Sequence, residues 1–351
     1  MTNQITLIIL FFFSSSISYF LLKILVNYKK ISNDNFLKRS RLVRWGNSSK
    51  SHLGGVSFLI SFLFISLIYN FFYEDYIFIK NLQIMSLILL TCFFSLLDDI
   101  LLLSAKFKIL FQFLISILLI LFEFKVNFIN NYYLDIVLNI LFFIAVFNIT
   151  NFFDNFDGAL TSLYIPIFLY FLIFSYIFDL NIYIKLISLV YIFSLVIFYF
   201  FNSFPSKIFM GDVGSSQIAL LSIILGYEVF WANYIFTGYA DFFVNFLENY
   251  IFYIILSIDS LLVIIYRFSI KKPIFIGDTN HLSHVFLKFL KKPYKFCLII
   301  FTSQLILITL GVFMKLSLFH ANTKLSIFLM ILLSFLCIYA HLYARYVKKI
   351  S

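Results

Sequence analysis

The sequence predicts an all-α membrane protein whose chain crosses the bilayer many times. Only 12% of its 351 residues are charged, whereas soluble domains carry about 25% charged residues. The mean hydropathy is +1.02, and apolar runs of about 20 residues, the length of a membrane-spanning helix, recur along the chain. We expect one integral membrane domain over residues 1–351.

About eleven apolar segments are long enough to span a bilayer as helices. In chain order they are 4–27, 54–72, 83–99, 107–126, 132–150, 160–178, 183–201, 214–232, 249–267, 296–316 and 325–345. No positively charged region precedes the first segment, and Lys29 and Lys30 follow it. We therefore expect it to be a retained helix rather than a cleaved signal peptide.

The distribution of Lys and Arg predicts the orientation of these helices. Loops on one side of the membrane hold 20 of these residues and loops on the other side hold five. Cytoplasmic loops carry the excess of positive charge, so we predict an outside N-terminus and a cytoplasmic C-terminus. The net charge of +10 then reflects topology, and we expect no nucleic-acid partner. The three cysteines all fall in apolar runs and form neither a disulfide pattern nor a zinc motif.

Polar residues gather in five clusters, all on the predicted cytoplasmic side. The clusters lie near residues 45–55, 96–108, 148–160, 205–215 and 267–290. Loops on the opposite side hold only scattered charges, aromatic residues and Asn. We therefore expect the functional site at the cytoplasmic membrane surface.

Carboxylates in two of these clusters are candidate functional residues, and one adjacent pair is a candidate cation site. Asp98 and Asp99 are adjacent at the end of an apolar segment, where mutual repulsion and burial make ionisation of both costly. A hard cation such as Mg²⁺ would relieve this repulsion, although a solvated helix end is the alternative. Asp212 lies between Gly211 and Gly214, which let the backbone approach a ligand; a plain turn is the alternative.

A second polar pattern repeats every third residue through Asn148, Asn151, Asp154 and Asp157. This spacing keeps the side chains near one side of a helix, so the fifth predicted span should end in a polar stripe that leads to a turn at Gly158. Helix capping is the alternative for any single member.

The candidate phosphate contacts are basic. His281 and His284 are three residues apart, without a third ligand that would support zinc, and Arg267 precedes them. A solvated surface pair is the alternative. Lys50 precedes Gly54-Gly55, which either punctuate a helix or let the backbone approach a nucleotide.

Carboxylates for a divalent cation, basic groups and small residues are the equipment of phosphoryl transfer. The position at the membrane edge indicates a lipid phosphate as one substrate. A transporter is the main alternative, because ionisable groups inside membranes often mark ion paths. The carboxylates, however, lie at one predicted face rather than at mid-depth. A scaffold protein would not need five polar clusters on one face.

The order of these motifs resembles the polyprenyl-phosphate N-acetylhexosamine-1-phosphate transferases, glycosyltransferase family 4, which has WecA-like and MraY-like branches. The resemblance covers roughly residues 45–290. It is carried by Lys50 with Gly54-Gly55, Asp98-Asp99, Asn148…Asn151…Asp154…Asp157-Gly158, Phe209-Met210-Gly211-Asp212-Val213-Gly214-Ser215, Asp259…Arg267 and His281…His284.

Several positions depart from the family motifs. Ser51-His52 stand where a Pro is usual, Asn155 replaces the first Gly of D-G-x-D-G, and Ser283 replaces a His of H-x-H-H. The missing H-H-H run favours the WecA-like branch over the MraY-like branch. If Ser283 faces phosphate, Ser283→Ala should do little and Ser283→His should be neutral or raise activity.

The resemblance implies transfer of a HexNAc-1-phosphate, such as GlcNAc-1-phosphate, from a UDP-sugar to undecaprenyl phosphate, with release of UMP. This step would start a lipid-linked glycan such as O-antigen, lipopolysaccharide or another cell-envelope polysaccharide. It implies Mg²⁺, with Mn²⁺ as the alternative, and a bacterial inner membrane location with the site facing the cytoplasm. The sugar, the glycan and the oligomeric state stay open, with a homodimer as one alternative.

The resemblance also assigns roles to residues. It implies Asp212 as the metal ligand. The implied catalytic residues are Asp98, Asp99 and Asp154. The implied substrate-binding residues are Lys50, Lys106, Asn151, Asp157, Arg267, His281 and His284.

Overall fold

The structure is a computed structural model that describes residues 2–27, 50–72, 77–101, 103–128, 131–231, 240–271, 281–283 and 292–318, with 286, 290 and 332. This part of the chain forms ten α-helices and one π-helical turn. They are α1 Thr2–Asn27, α2 Gly54–Phe72, α3 Ile77–Leu101, α4 Ala105–Leu121, α5 Tyr132–Phe153, α6 Ala159–Ile177, α7 Ile182–Asn202, α8 Gly211–Gly226, the π-helical turn Tyr227–Trp231, α9 Ala240–Ser269 and α10 Pro293–Leu318.

Each of the first ten predicted spans corresponds to one of these helices. The predicted fourth span was too long at its C-terminal end, because α4 stops at Leu121 and the chain turns through Glu123 with a φ of 68°. Helix α3 continues through Asp98 and Asp99 instead of ending there. The eleventh predicted span, 325–345, lies outside the described residues apart from residue 332.

Several helices have the length and composition of membrane spans. Six described segments qualify, namely Gly54–Phe71, Phe78–Leu101, Tyr132–Phe153, Ala159–Ile177, Ile182–Asn202 and Tyr250–Ser269. Large apolar side chains on these helices, such as Phe93, Leu141 and Phe200, point outward, as expected for contact with lipid. The chain is thus a polytopic membrane protein, while the count of eleven and the orientation stay predictions.

Helix α8 lies at the centre of the described bundle. It packs against α2, α3, α5 and α6, and a helix that is apolar on all sides is expected in such a position. Every residue of α8 is buried except Asp212 and Ser216. These two residues are one helical turn apart, so they face the same space.

The N-terminal ends of α2 and α8 are joined through their backbones. The amides of Gly54 and Gly55 donate to the carbonyls of Phe209 and Met210, at 3.0 and 2.9 Å. A Cβ atom on Gly55 would lie 2.2 Å from the backbone nitrogen of Gly214, so no larger residue fits without separating the helices. Gly55 therefore allows α2 and α8 to pack closely. The sequence alone had left two alternatives for Gly54-Gly55, namely punctuation of a helix or close approach to a nucleotide.

Candidate active site

A pocket lies where four helices meet at one end of the bundle. The C-terminal ends of α3 and α5 and the N-terminal ends of α4 and α8 surround it. Its lining has a polar part and an aromatic part. The lining residues are Thr91, Phe94, Ser95, Asp98, Lys108, Phe111, Gln112, Ile115, Phe147, Asn148, Asn151, Asp212 and Ser216.

Asp212 is held from two sides at the polar end of this pocket. Its Oδ2 atom lies 2.9 Å from the Nζ atom of Lys108. Its Oδ1 atom accepts a hydrogen bond of 2.9 Å from Nδ2 of Asn151, which also donates to Oγ of Ser215 at 3.2 Å. One ammonium and one amide thus fix the orientation of the carboxylate.

Lys108 connects this carboxylate to a second one. Its ammonium also forms an ion pair with Asp98, which is 6% exposed and whose Oδ1 atom accepts from the amide of Leu103 at 3.0 Å. When Asp98 and Asp212 are both ionised, Lys108 compensates only one of their two charges. The pocket therefore favours an additional cation.

Asp99 has a different role from its neighbour. Its carboxylate accepts hydrogen bonds from the backbone amides of Asp212 and Val213, at 3.2 and 3.4 Å. These amides belong to the first turn of α8, where a negative charge is stabilised by the helix dipole. Adjacent residues of a helix project about 100° apart, which explains why Asp98 reaches the pocket while Asp99 caps α8.

The sequence selected Lys106 as a substrate contact, and the structure does not bring it into the pocket. Lys106 is exposed and lies two positions, about 200° of helical rotation, from Lys108. The lysine that lines the pocket, and that the sequence prediction missed, is Lys108. Its signal was the spacing of the pocket-lining residues Phe111, Gln112 and Ile115, which follow it at i+3, i+4 and i+7.

A second group of predicted residues meets around Ser206. Oδ2 of Asp157 accepts from the amide of Ser206 at 3.0 Å, and Nζ of Lys50 donates to the Ser206 hydroxyl at 3.1 Å. The Lys50 ammonium also lies 5.1 Å from the ring centroid of Phe209. Lys50 and Asp157 thus both contact Ser206. Asp154 caps the C-terminus of α5 and is half-buried.

His281 is held by an acid that the sequence did not assign to the site. Its Nδ1 atom lies 2.8 Å from Oδ2 of Asp259, and the amide of Leu282 donates to Oδ1 of the same carboxylate at 2.6 Å. His281 is 4% exposed, and Arg267, eight residues after Asp259, is also buried. The predicted contact His284 lies outside the described residues.

Ser283, for which the sequence allowed a phosphate-facing position, has a partner inside the protein instead. Its side chain is buried, and its hydroxyl donates to Oδ1 of Asn155. The hydroxyl is therefore committed to a partner inside the protein.

The acidic residues of the pocket suit Mg²⁺, although they do not complete its coordination. Among the described residues, no three His, Cys, Asp or Glu side chains form a ready-made metal cage. Mg²⁺ commonly uses one or two protein carboxylates together with water and substrate phosphates. Asp98 and Asp212 offer two carboxylates on facing helices, already arranged around one cationic group.

Comparison with known proteins identifies the family of this chain. The profile described as Glycosyl transferase family 4 matches residues 81–230, which run from α3 into the π-helical turn and include the polar end of the pocket. A phospho-N-acetylmuramoyl-pentapeptide-transferase of Dictyoglomus turgidum (strain DSM 6724 / Z-1310) is 32% identical over 237 residues, which are 60% of this chain and 73% of that protein. The chain belongs to glycosyl transferase family 4.

Two further relatives match a shorter stretch. These phospho-N-acetylmuramoyl-pentapeptide-transferases come from Wolbachia sp. subsp. Drosophila simulans (strain wRi) and Wolbachia pipientis wMel, and each is 32% identical over 178 residues. Those residues are 43% of this chain and 55% of each relative, so the chain spans about half the length of both. The comparisons confirm the predicted family.

Proposed function

We propose that the chain is a transferase that moves a sugar 1-phosphate from a UDP-linked donor to a polyprenyl phosphate such as undecaprenyl phosphate, with release of UMP. The observation that carries this function is the cluster of Asp98, Lys108, Asn151 and Asp212 at one end of a bundle of membrane helices. We further propose that the protein lies in the bacterial inner membrane with this end toward the cytoplasm.

The two kinds of lining in the pocket support a lipid phosphate as acceptor. Phe94 and Phe111 stack with ring centroids 4.0 Å apart and form part of the apolar wall with Phe147. The opposite part carries Lys108 and the carboxylates. A lipid phosphate combines the same two properties, so we expect its phosphate near Lys108 and its first apolar carbons along the aromatic wall.

Catalysis in this proposal consists mainly of positioning and charge neutralisation. An oxygen of the lipid phosphate attacks the β-phosphorus of the donor; this forms the new P–O bond and breaks the bond to UMP. Lys108 binds phosphate oxygens and reduces repulsion between the two anions. Asn151 keeps Asp212 oriented, and Asp99 fixes the start of α8. Mg²⁺, or Mn²⁺ as the alternative, held by Asp212 and Asp98 would neutralise the diphosphate as UMP departs.

The nucleotide side of the site is assigned to the group around Ser206. Lys50 supplies a positive charge for the diphosphate, and Asp157 holds the backbone of Ser206 in place. We assign the donor sugar to the side of His281, whose Nδ1 is engaged by Asp259, which leaves Nε2 as the ring atom for a substrate contact.

Two donor classes fit this assignment. The missing H-H-H run favours a simple UDP-N-acetylhexosamine, which would place the protein in O-antigen or lipopolysaccharide synthesis. The names of the matched relatives favour a UDP-N-acetylmuramoyl pentapeptide, which would place it in cell wall biogenesis. The pocket around Asp212 serves both donors equally, because they share the same UDP diphosphate and differ only in the substituents on the sugar ring.

A donor panel tests the proposal. Purified protein is incubated with Mg²⁺, undecaprenyl phosphate and, separately, UDP-GlcNAc, other UDP-N-acetylhexosamines and UDP-N-acetylmuramoyl pentapeptide. The lipid product is identified by mass, with Asp212→Asn protein as the background. A lipid-linked sugar diphosphate and free UMP from one donor support the transferase and name its substrate. No product above background from every donor would contradict it and favour the transporter alternative.

A further inference from the structure

Two buried polar side chains connect the turn between α5 and α6 to residues 281–283. The Ser283 hydroxyl donates to Oδ1 of Asn155 at 2.5 Å, although 128 residues separate them in sequence. Ser283 is 2% exposed and Asn155 is 7% exposed. Nδ2 of Asn155 donates to the carbonyl of Phe152 at 2.9 Å. A carbonyl only accepts, so the amide nitrogen must face Phe152 and the amide oxygen must face Ser283.

Residues 281–283 are anchored at both ends. Asp259 in α9 accepts one hydrogen bond from the Leu282 amide and pairs with Nδ1 of His281. Ser283 then reaches Asn155 on the other side. The three residues therefore bridge α9 and the α5–α6 turn, and the position of the His281 ring depends on both attachments.

An apolar contact accompanies the polar one. Phe156, the residue after Asn155, packs edge-on against Phe296 of α10 with ring centroids 5.7 Å apart, and Phe286 contacts the same ring at 6.2 Å. Loss of the Asn155–Ser283 hydrogen bond should therefore loosen this region without detaching it. A functional effect of the pair is then measurable in folded protein.

The two positions also complement each other in size. Asn155 is larger than the Gly of the family motif, and Ser283 is smaller than the His of that motif. Because the two side chains touch in a buried space, the two departures amount to one coupled change rather than two separate losses.

We propose that Asn155 and Ser283 are a coupled pair of positioning residues, whose hydrogen bond sets the position of His281 relative to Asp154 and Asp157 and thereby tunes binding of the donor sugar. This role rests on the proposed function and adds a determinant of donor recognition to it. The acceptor pocket between α3, α4, α5 and α8 does not include either residue, so binding of polyprenyl phosphate should not depend on the pair.

A double-mutant cycle tests the coupling. Ser283→Ala, Asn155→Ala and the double variant are purified, and KM is measured separately for the UDP donor and for undecaprenyl phosphate. One lost buried hydrogen bond should raise the donor KM about tenfold, with the acceptor KM unchanged. The donor KM of the double variant should not exceed the higher of the two single-variant values. Ser188→Ala is the matched control, because this buried hydroxyl donates within its own helix; its constants should equal those of the wild type.

A size exchange tests the same pair if the alanine variants fold poorly. Ser283→His alone should raise the donor KM or prevent folding, since its ring would overfill the space beside Asn155. Adding Asn155→Gly should restore folding and donor binding. Failure of this rescue would overturn the coupling.

The remaining outcomes separate the pair from the proposed function. Thermal midpoints of the same variants in detergent provide a second cycle that needs no substrate. If the effects of the two single substitutions on the donor KM and on the thermal midpoint simply add in the double variant, the proposed coupling of Asn155 and Ser283 is overturned. An acceptor KM that rises as much as the donor KM would overturn its role in donor recognition. A wild-type protein that transfers nothing from any donor would overturn the proposed function, while non-additive midpoints would still establish the coupling.

Discussion

The Nζ atom of Lys108 lies 2.9 Å from Oδ2 of Asp212, although 104 residues separate the two in sequence. The same ammonium is paired with Asp98. A half-buried cation between two acids stabilises both, and removal of one member leaves an uncompensated charge in a region of low dielectric. The functional effects of substitutions here should therefore be large.

Lys108→Met keeps the length of the side chain and removes its charge. We expect turnover to fall about a hundredfold or more, since a charge-assisted contact to phosphate is lost together with the balance of the two acids. Lys106→Met is the control on the same helix and should keep activity near that of the wild type. The check is the rate of lipid product formation. Equal losses in both variants would contradict the assignment of Lys108.

Asp212→Asn keeps size and hydrogen bonding but removes the negative charge that is proposed to bind the metal. Turnover should fall by about two orders of magnitude or more, because several kcal/mol of charge stabilisation are lost, while the protein still inserts into membranes. Asp179→Asn is the control, because the Asp179 side chain is 98% exposed and a surface ion pair contributes little. Near-normal turnover of Asp212→Asn would place the metal elsewhere, on Asp98 and Asp99.

Asp99→Ala should act mainly on stability. It removes the acceptor of two amides at the start of α8, and loss of such a cap lowers the free energy of unfolding by about 1–2 kcal/mol. The measurement is the thermal midpoint in detergent, compared with Asp98→Ala. We expect Asp99→Ala to have the lower midpoint and Asp98→Ala the lower turnover per folded protein. The reverse order would contradict the separation of their roles.

Gly55→Ala should separate α2 from α8. The added methyl group would lie 2.2 Å from a backbone atom that cannot rotate away, and overpacking of this kind costs about 1–3 kcal/mol or more. Leu67→Phe adds volume at a lipid-facing position of the same helix, where Leu67 is 59% exposed, and should be tolerated. The yield of monodisperse protein in detergent distinguishes the two variants. Equal amounts would show that α2 and α8 can move apart at this contact without loss of folding.

The predicted orientation is tested by reporters. A reporter that works only in the cytoplasm should be active after Ser351 and inactive when inserted near residues 73–80, as the asymmetry of Lys and Arg predicts. An inactive reporter at the C-terminus would contradict both the count of eleven spans and the cytoplasmic position of the site.

Hydrophobic length alone predicted where the described helices lie, because membrane helices satisfy their own backbone hydrogen bonds and need little tertiary information. The same reasoning selected Asp98, Asn151 and Asp212, since polar residues near the ends of such helices are conspicuous. It could not separate Lys106 from Lys108. The two differ by helical phase, and the phase that faces the pocket is decided by packing against α3 and α5.

The contacts of Gly55 and Ser283 could not be predicted from the sequence, and the physical reason is the same for both. Both residues contact partners more than 120 residues away in sequence, Gly214 and Asn155. The sequence shows the smallness of a glycine or a serine but not the atom that needs the space. The chemistry of a charged side chain can be predicted from the sequence. The role of a residue that is small because a neighbour packs against it can be identified only from the structure.

The burial of α8 has a consequence for resistance to inhibitors. A compound that fills the pocket meets this helix at Asp212 and Ser216 only, because its other positions are packed inside the protein. Substitution of Asp212 should abolish activity, and substitution of the buried positions should unfold the bundle. Ser216 is then the one residue of this helix where a resistant variant could remain functional. Resistance through substitution of Ser216 is not expected for a compound that binds without contacting the Ser216 hydroxyl.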